Sequence, residues 1–350
     1  MTEEMTLPPK LERGDKVAVL GTSGGIKKRF PRAFEKGLEV LRQRFELEPV
    51  IYSTAEKSDE YLNNHPEEKA DQIMKAFEDP EIKGVIAVTG GDEQLRVLKH
   101  LEEERLRQNP TRFYGLSDNT NLHIYLQQLG LQSFYGGQIV ADLMAEGDLA
   151  EYTFNHLEKA FFSDEIRKVE ASEKFTDEFV DIAADEIVDD RQRFENPGWE
   201  FWNFSGEVSG RLFGGCFEIV NWMLSADKID MEGLEGKILV LETSEESPSE
   251  TEIKRWLMCM GERGFLQKFE AIMVGRPVRE DLHGEERSVE EKERYHRNQK
   301  ERIKNEIRRY CPDTPVVFDV DFGHTDPKIP LQLGGKTVLR PETEVLEFKR

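Results

Sequence analysis

Ser117, Glu242 and His324 are the residues whose types and settings could do chemistry together, for each lies at or just after the end of a short apolar run. In Phe113-Tyr114-Gly115-Leu116-Ser117-Asp118-Asn119-Thr120, a strand-like run ends at Gly115. A helical pattern (Leu122, Tyr125, Leu126, Leu129) then begins and stops at Gly130. A serine on such a strand-to-helix turn has an exposed hydroxyl with backbone N–H groups beside it, as a nucleophile elbow requires. A serine nucleophile needs an imidazole to take its proton, and the imidazole needs a carboxylate to fix its tautomer and stabilise its cation. The order Ser, Glu, His is that of α/β-hydrolases. Gly115-Leu116-Ser117-Asp118-Asn119 lacks the second glycine of the usual elbow, however, which disfavours an ordinary member of that class. Each residue also has a plainer reading. Ser117 or Asp118 could be only a helix N-cap, Glu242 a solvated strand terminus, and His324 a turn residue before Pro327. His123, on the helix after Ser117, competes for the role of base.

Thr89-Gly90-Gly91-Asp92 follows a strand and opens a helical stretch. Its backbone N–H groups could face an anion, or its glycines could simply serve a tight turn. Trp199 and Trp202 sit in the turn-rich segment 196–203. Aromatic loops often stack flat ligands, and the alternative is a plug at a domain junction. No His/Cys cluster has metal-ligand spacing. Gly21-Thr22-Ser23-Gly24-Gly25 lacks the spacing of a dinucleotide loop. No metal and no cofactor are therefore expected.

The elements that must position these residues are strands alternating with helices. Strands are expected at 16–21, 48–52, 84–88 and 113–115, and helices at 33–44, 66–77 and 94–104. That alternation implies an α/β fold: an N-terminal, mostly parallel sheet flanked by helices, with reactive groups at the strand C-terminal ends. Residues 164–205 read as a connection with an aromatic loop, separating an N-terminal domain (1–163) from a smaller C-terminal α/β domain of mixed strands (206–350). The latter carries strands at 237–242, 271–275 and 316–320, with helices at 252–260 and 285–309. At 350 residues, one large or two moderate domains are expected. A net charge of −22 argues against nucleic acid as a partner. It fits a very soluble cytoplasmic protein, or one adapted to high salt, an idea that fails if stability does not rise with salt. No apolar run could span a bilayer, and residues 1–6 lack the pattern of a secretory signal. Three scattered cysteines suggest a reducing compartment.

The ordered set of motifs resembles the LD-carboxypeptidase and microcin C immunity family of serine peptidases. The resemblance spans Leu11 to Val17, Pro66 to Asp71, Val88 to Gly91, Gly115 to Thr120, Gly214-Gly215, Leu241-Glu242 and Asp321 to Pro327. It implies Ser117 as nucleophile, His324 as general base and Glu242 as its orienting carboxylate. It also implies an oxyanion hole from the Gly91 and Asp118 amides, and a homodimer. The aromatic segment and the Gly-His-Thr-Asp-Pro turn look more like the immunity type, which cleaves aminoacyl- or peptidyl-nucleotides and whose loop aromatics stack the base; Trp199 and Trp202 are the candidates. Cys216 stands where relatives commonly have Asn, which leaves the substrate open. A carboxypeptidase trimming murein peptides, with a cation for the terminal carboxylate, and a non-catalytic ligand-sequestering protein are the rivals.

Overall fold

A computed structural model describes residues 5–184, 189–280 and 287–349. Residues 1–4, part of the 164–205 connection and the first two residues of the expected 285–309 helix lie outside the described residues. The chain forms two compact units: 1–165 with 179–191 and 328–335, and 166–178 with 192–327 and 336–350.

The first unit runs β1 (Lys16–Leu20), α1 (Pro31–Gln43), β2 (Glu48–Ile51), α2 (Asp59–Asn64), α3 (Pro66–Glu78), β3 (Ile82–Ala87), α4 (Glu103–Gln108), β4 (Arg112–Gly115), α5 (Thr120–Gln128), β5 (Ser133–Tyr135) and α6 (Gly147–Phe162). The five strands are parallel, in the order β5-β4-β3-β1-β2. The segment Leu331–Leu333 adds antiparallel to β5, a return that the residue pattern does not show. Proline at the start of α1 and α3 fits the first helical turn, where no N–H partner is needed. The apolar stripe of α1 (Phe34, Leu38, Leu41) packs with Val17 and Val19 of β1 and with Leu157 and Phe161 of α6. Phe45 meets Phe154 and Phe161 edge-on in the same core. One expected helix is broken: 94–104 forms two short turns before α4. Gln94, which opens the first of these turns, has its buried side chain drawn into the turn that carries Ser117.

The second unit begins with β6 (Arg167–Val169) and a short hairpin of β7 (Lys174–Phe175) with β8 (Phe194–Glu195). Then follow β9 (Glu200–Trp202), β10 (Val208–Cys216), α7 (Phe217–Ser225), β11 (Lys237–Glu242), α8 (Glu250–Glu262), β12 (Phe269–Gly275), α9 (Val289–Tyr310) and β13 (Val316–Val320). After Leu331–Leu333, counted as β14, the chain adds β15 (Lys336–Arg340) and β16 (Val345–Phe348). The order is β6-β16-β15-β10-β11-β12-β13-β9. Its centre, β10 to β13, is parallel and its flanks are antiparallel. This unit is the smaller in residues yet has the larger, mixed sheet. Ser249 with Glu252 and Ser288 with Glu291 form capping boxes that start α8 and α9. Among the described residues no helix is long and apolar enough to cross a membrane.

The first core depends on its aromatic centre. Phe161→Ala should cost about 3–5 kcal/mol, read as a lower midpoint in urea unfolding. A midpoint equal to that of the unsubstituted protein would show that this ring is not part of a close-packed core.

Candidate active site

Ser117 lies two residues past the end of β4 and has a φ of +64°, the left-handed region that L-residues rarely adopt. Such a conformation costs about 1–3 kcal/mol and persists only where surroundings impose it. Here they do. Thr120 Oγ1 donates to the Ser117 carbonyl at 2.7 Å, and the Ser117 amide donates to the Tyr135 hydroxyl at 3.2 Å. Asn119 donates to the carbonyls of Thr89 and Leu116 and accepts from Thr22 and Gln94. Gln94 also accepts from the Leu122 amide at 2.9 Å, which ties the turn to the first turn of α5. A methyl at position 90 would stand 2.9 Å from Ser117 Cβ and 3.1 Å from its hydroxyl. Hydrogen at Gly90 is therefore what lets the Thr89–Asp92 turn lie against Ser117.

The side chain of Asp118 points away from solvent. It accepts from the Ser23 hydroxyl, from the Gln94 amide at 2.8 Å and from Asn121 Nδ2 at 2.8 Å. Burial raises its pKa, opposed by the Ser23 and Gln94 hydrogen bonds. His123 is fully buried between Ser133 Oγ and the Gly115 carbonyl, and burial pulls its pKa down to about 3. It is a neutral core histidine that supports β4 and β5, which removes it from competition for the base.

In the second unit, Glu242 is the last residue of β11 and His324 lies four residues past β13. His324 Nδ1 and Glu242 Oε2 are 2.7 Å apart. Two glycines make room for this pair. A Cβ at Gly275 would stand 2.7 Å from Glu242 Cβ, and one at Gly323 (φ +99°) would stand 2.5 Å from Glu242 Oε2. Behind the carboxylate lie Phe217, Leu257, Ile272, Ile303 and Phe318. Burial alone would lower the His324 pKa, but the charges of Glu242 and Glu245 outweigh it and raise the pKa to about 9. Glu218, on α7, accepts from the Ser244 amide and hydroxyl and from the Cys216 thiol. Burial and the neighbouring Glu242 charge push its pKa up. Burial and the Glu218 and Glu242 charges push the Cys216 thiol well up, so it is not a thiolate nucleophile.

Two family models match the chain: the LD-carboxypeptidase N-terminal domain over residues 17–136 and the LD-carboxypeptidase C-terminal domain over residues 209–339. The chain belongs to the LD-carboxypeptidase family. It is thus a serine-peptidase-type hydrolase. Among its relatives is the microcin C7 self-immunity protein MccF of Escherichia coli, 25% identical over 338 residues, or 95% of this chain and 92% of that protein. The probable murein peptide carboxypeptidase of Bacillus subtilis is 23% identical over 344 residues, covering 97% and 94%. A solved MccF-like protein from Streptococcus pneumoniae, in complex with AMP, shares the fold with a TM-score of 0.85 at 24% identity, covering 96% and 99%.

The two tryptophans of the 196–203 segment have different surroundings in the second unit. Trp199 is only 5% exposed, and its indole N–H donates to Asp321 Oδ2 at 3.0 Å. Asp321 also accepts from Ser172, Arg276 and Asn196, so Trp199 is part of a buried polar anchor just before the His324 turn. Trp202 lies on the edge strand β9, paired with Val316 at the start of β13, whereas His324 lies beyond that strand's other end. The Arg308 guanidinium sits 5.2 Å from its ring centroid. Within the second unit, Trp199 is thus held by Asp321, and the part-buried Trp202 has Arg308 over its ring. The residues that sequence reasoning missed are Glu245, Glu218, Gly275, Gly323 and Asn119. Gly323 and Asn119 were visible only as parts of the His324 and Ser117 motifs, and nothing in the spacing of Glu218, Glu245 and Gly275 points to either site.

The His324 ring should titrate near pH 9 by NMR of labelled protein, and Glu242→Gln should move that midpoint down by at least about one unit. His123 should stay neutral at pH 7 in both proteins. An unmoved His324 midpoint would remove Glu242 as its electrostatic partner.

Proposed function

We propose that the chain hydrolyses the acyl link of aminoacyl- or peptidyl-nucleotide compounds, with Ser117 as nucleophile, His324 as general base and Glu242 holding the imidazole. The observation that carries the proposal is the Glu242–His324 pair at 2.7 Å, considered with the left-handed, hydrogen-bonded turn at Ser117. Ser117 Oγ adds to the carbonyl as His324 Nε2 takes its proton. The Gly91 and Asp118 amides hold the oxyanion. The imidazolium then protonates the leaving nitrogen, and water repeats the sequence on the acyl-enzyme to regenerate Ser117.

The choice of substrate rests on two supports. A solved structure of the microcin C7 self-immunity protein MccF, with the same fold at a TM-score of 0.83, is in complex with aspartyl sulfamoyl adenosine. Around His324 in this chain, the charges that raise its pKa are the carboxylates Glu242, Glu245 and Glu218. A murein carboxypeptidase needs a cation for the free terminal carboxylate, and the neighbours whose charges act on His324 are carboxylates. The murein reading remains the second one because the Bacillus subtilis relative covers nearly the whole chain.

Hydrolysis of an aminoacyl sulfamoyl adenosine should exceed that of an L,D-tetrapeptide. Ser117→Ala should lower turnover on the order of 10⁴-fold or more. Faster cleavage of the tetrapeptide would reverse the order of the two readings, and full activity in the alanine variant would refute the nucleophile. A base must be neutral to accept a proton. Because the folded pKa of His324 is raised, kcat/KM should climb from pH 7 toward about 9. A flat profile over that range would exclude His324 as the base.

A further inference from the structure

Both ring nitrogens of His324 face carboxylates. Nδ1 meets Glu242, and Nε2 lies 3.2 Å from Glu245 Oε2. Among the described residues that Glu245 oxygen is buried and has no aligned hydrogen-bond partner, although it lies against the imidazole. A buried carboxylate oxygen left without an aligned donor is costly, so its position calls for an explanation. The loop around it is fixed. Ser244 is tied to Glu218, and Ser247 Oγ donates to the Val278 carbonyl at 3.2 Å. The Glu245 side chain itself is 38% exposed, so it can leave His324 by rotation without movement of the loop.

Nε2 is the nitrogen that serves nucleophile and leaving group in a serine hydrolase. Whatever stands 3.2 Å from it stands beside the scissile bond. An anion there opposes the negative charge that develops on the reacting carbonyl, unless a cation accompanies it. In an aminoacyl compound the α-ammonium is attached one carbon away from that carbonyl. We propose that Glu245 is a specificity residue that exchanges His324 for the free α-ammonium group of the substrate. The exchange has two effects. The substrate's cation is paired, and Nε2 loses the anion that keeps its proton in place, so it can accept the proton of Ser117. Substrates whose α-nitrogen is acylated lack the cation and leave Glu245 on His324. The charged groups that hold the imidazolium in the resting protein are Glu242 from β11, Glu245 from the following loop and Glu218 from α7.

This inference rests on the aminoacyl-nucleotide reading above. The test uses alanyl sulfamoyl adenosine and its N-acetyl derivative, each with the full-length protein and with Glu245→Gln. The unsubstituted protein should prefer the free amine by at least about tenfold in kcat/KM, a ratio equivalent to about 1.4 kcal/mol. In Glu245→Gln the preference should fall to about threefold or less, and the acidic limb of its pH profile should move to lower pH. Glu245→Ala, which removes the acceptor altogether, should give the same two changes. An unchanged preference in both variants overturns the role of Glu245 while leaving the hydrolase reading intact. Turnover of neither compound by the unsubstituted protein overturns the substrate reading, and this inference with it.

Discussion

The Glu242–His324 hydrogen bond is the contact around which the end of the second unit's sheet is arranged, and its clearance comes from two glycines, Gly275 at the end of β12 and Gly323 in the turn after β13. Glu242 closes β11 next to Cys216 at the end of β10, and Gly275 closes β12. A side chain at position 275 or 323 would occupy the space of the carboxylate. The parallel centre of the sheet thus delivers the acid, the clearance around it and the histidine turn to one edge. That edge is the carboxyl end of the strands, where open α/β sheets gather their reactive groups. The Asp321 anchor, with Trp199, Arg276 and Ser172 around it, fixes the start of the turn three residues before His324.

The first unit solves a different problem. A serine in a left-handed conformation must be held there, and the holding groups come from four separate places in the chain: Thr22 after β1, Thr89 and Gln94 after β3, Asn119 beside the serine, and Tyr135 at the end of β5. They are polar and mostly buried, and they are satisfied by one another. The same network holds the start of the 94–104 stretch, which is two short turns and not one helix. The side chain of Gln94 and its own amide both serve the Ser117 turn, and the local helical preference gives way to that tertiary demand.

Charge sets the tone of the second unit's reactive edge. Glu218, Glu242 and Glu245 together make His324 basic, although burial alone would make it acidic. In the first unit burial outweighs the hydrogen bond to the Gly115 carbonyl at His123 and leaves it neutral. Two histidines of one chain therefore have opposite protonation at pH 7, and the difference lies in which carboxylates the fold brings near them.

Residue order alone was enough to place most strands and helices, because their periodicity is local: β1, β3, β11 and β13 lie within a residue or two of the apolar runs that mark them. It also marked Ser117, Glu242 and His324 as strand-end residues, since the end of an apolar run is readable from the chain. It did not reveal that Leu331–Leu333 crosses to the first sheet, that β6 and β9 are edges of the second, or that Trp199 is buried against Asp321. These depend on pairing between segments far apart in the chain, which leaves no periodic trace. The protonation of His123 and His324 and the placement of Glu245 belong to the same group. A carboxylate 79 residues away in sequence can stand 3.2 Å from an imidazole only after folding, and it is that distance, not the residue type, that decides the charge.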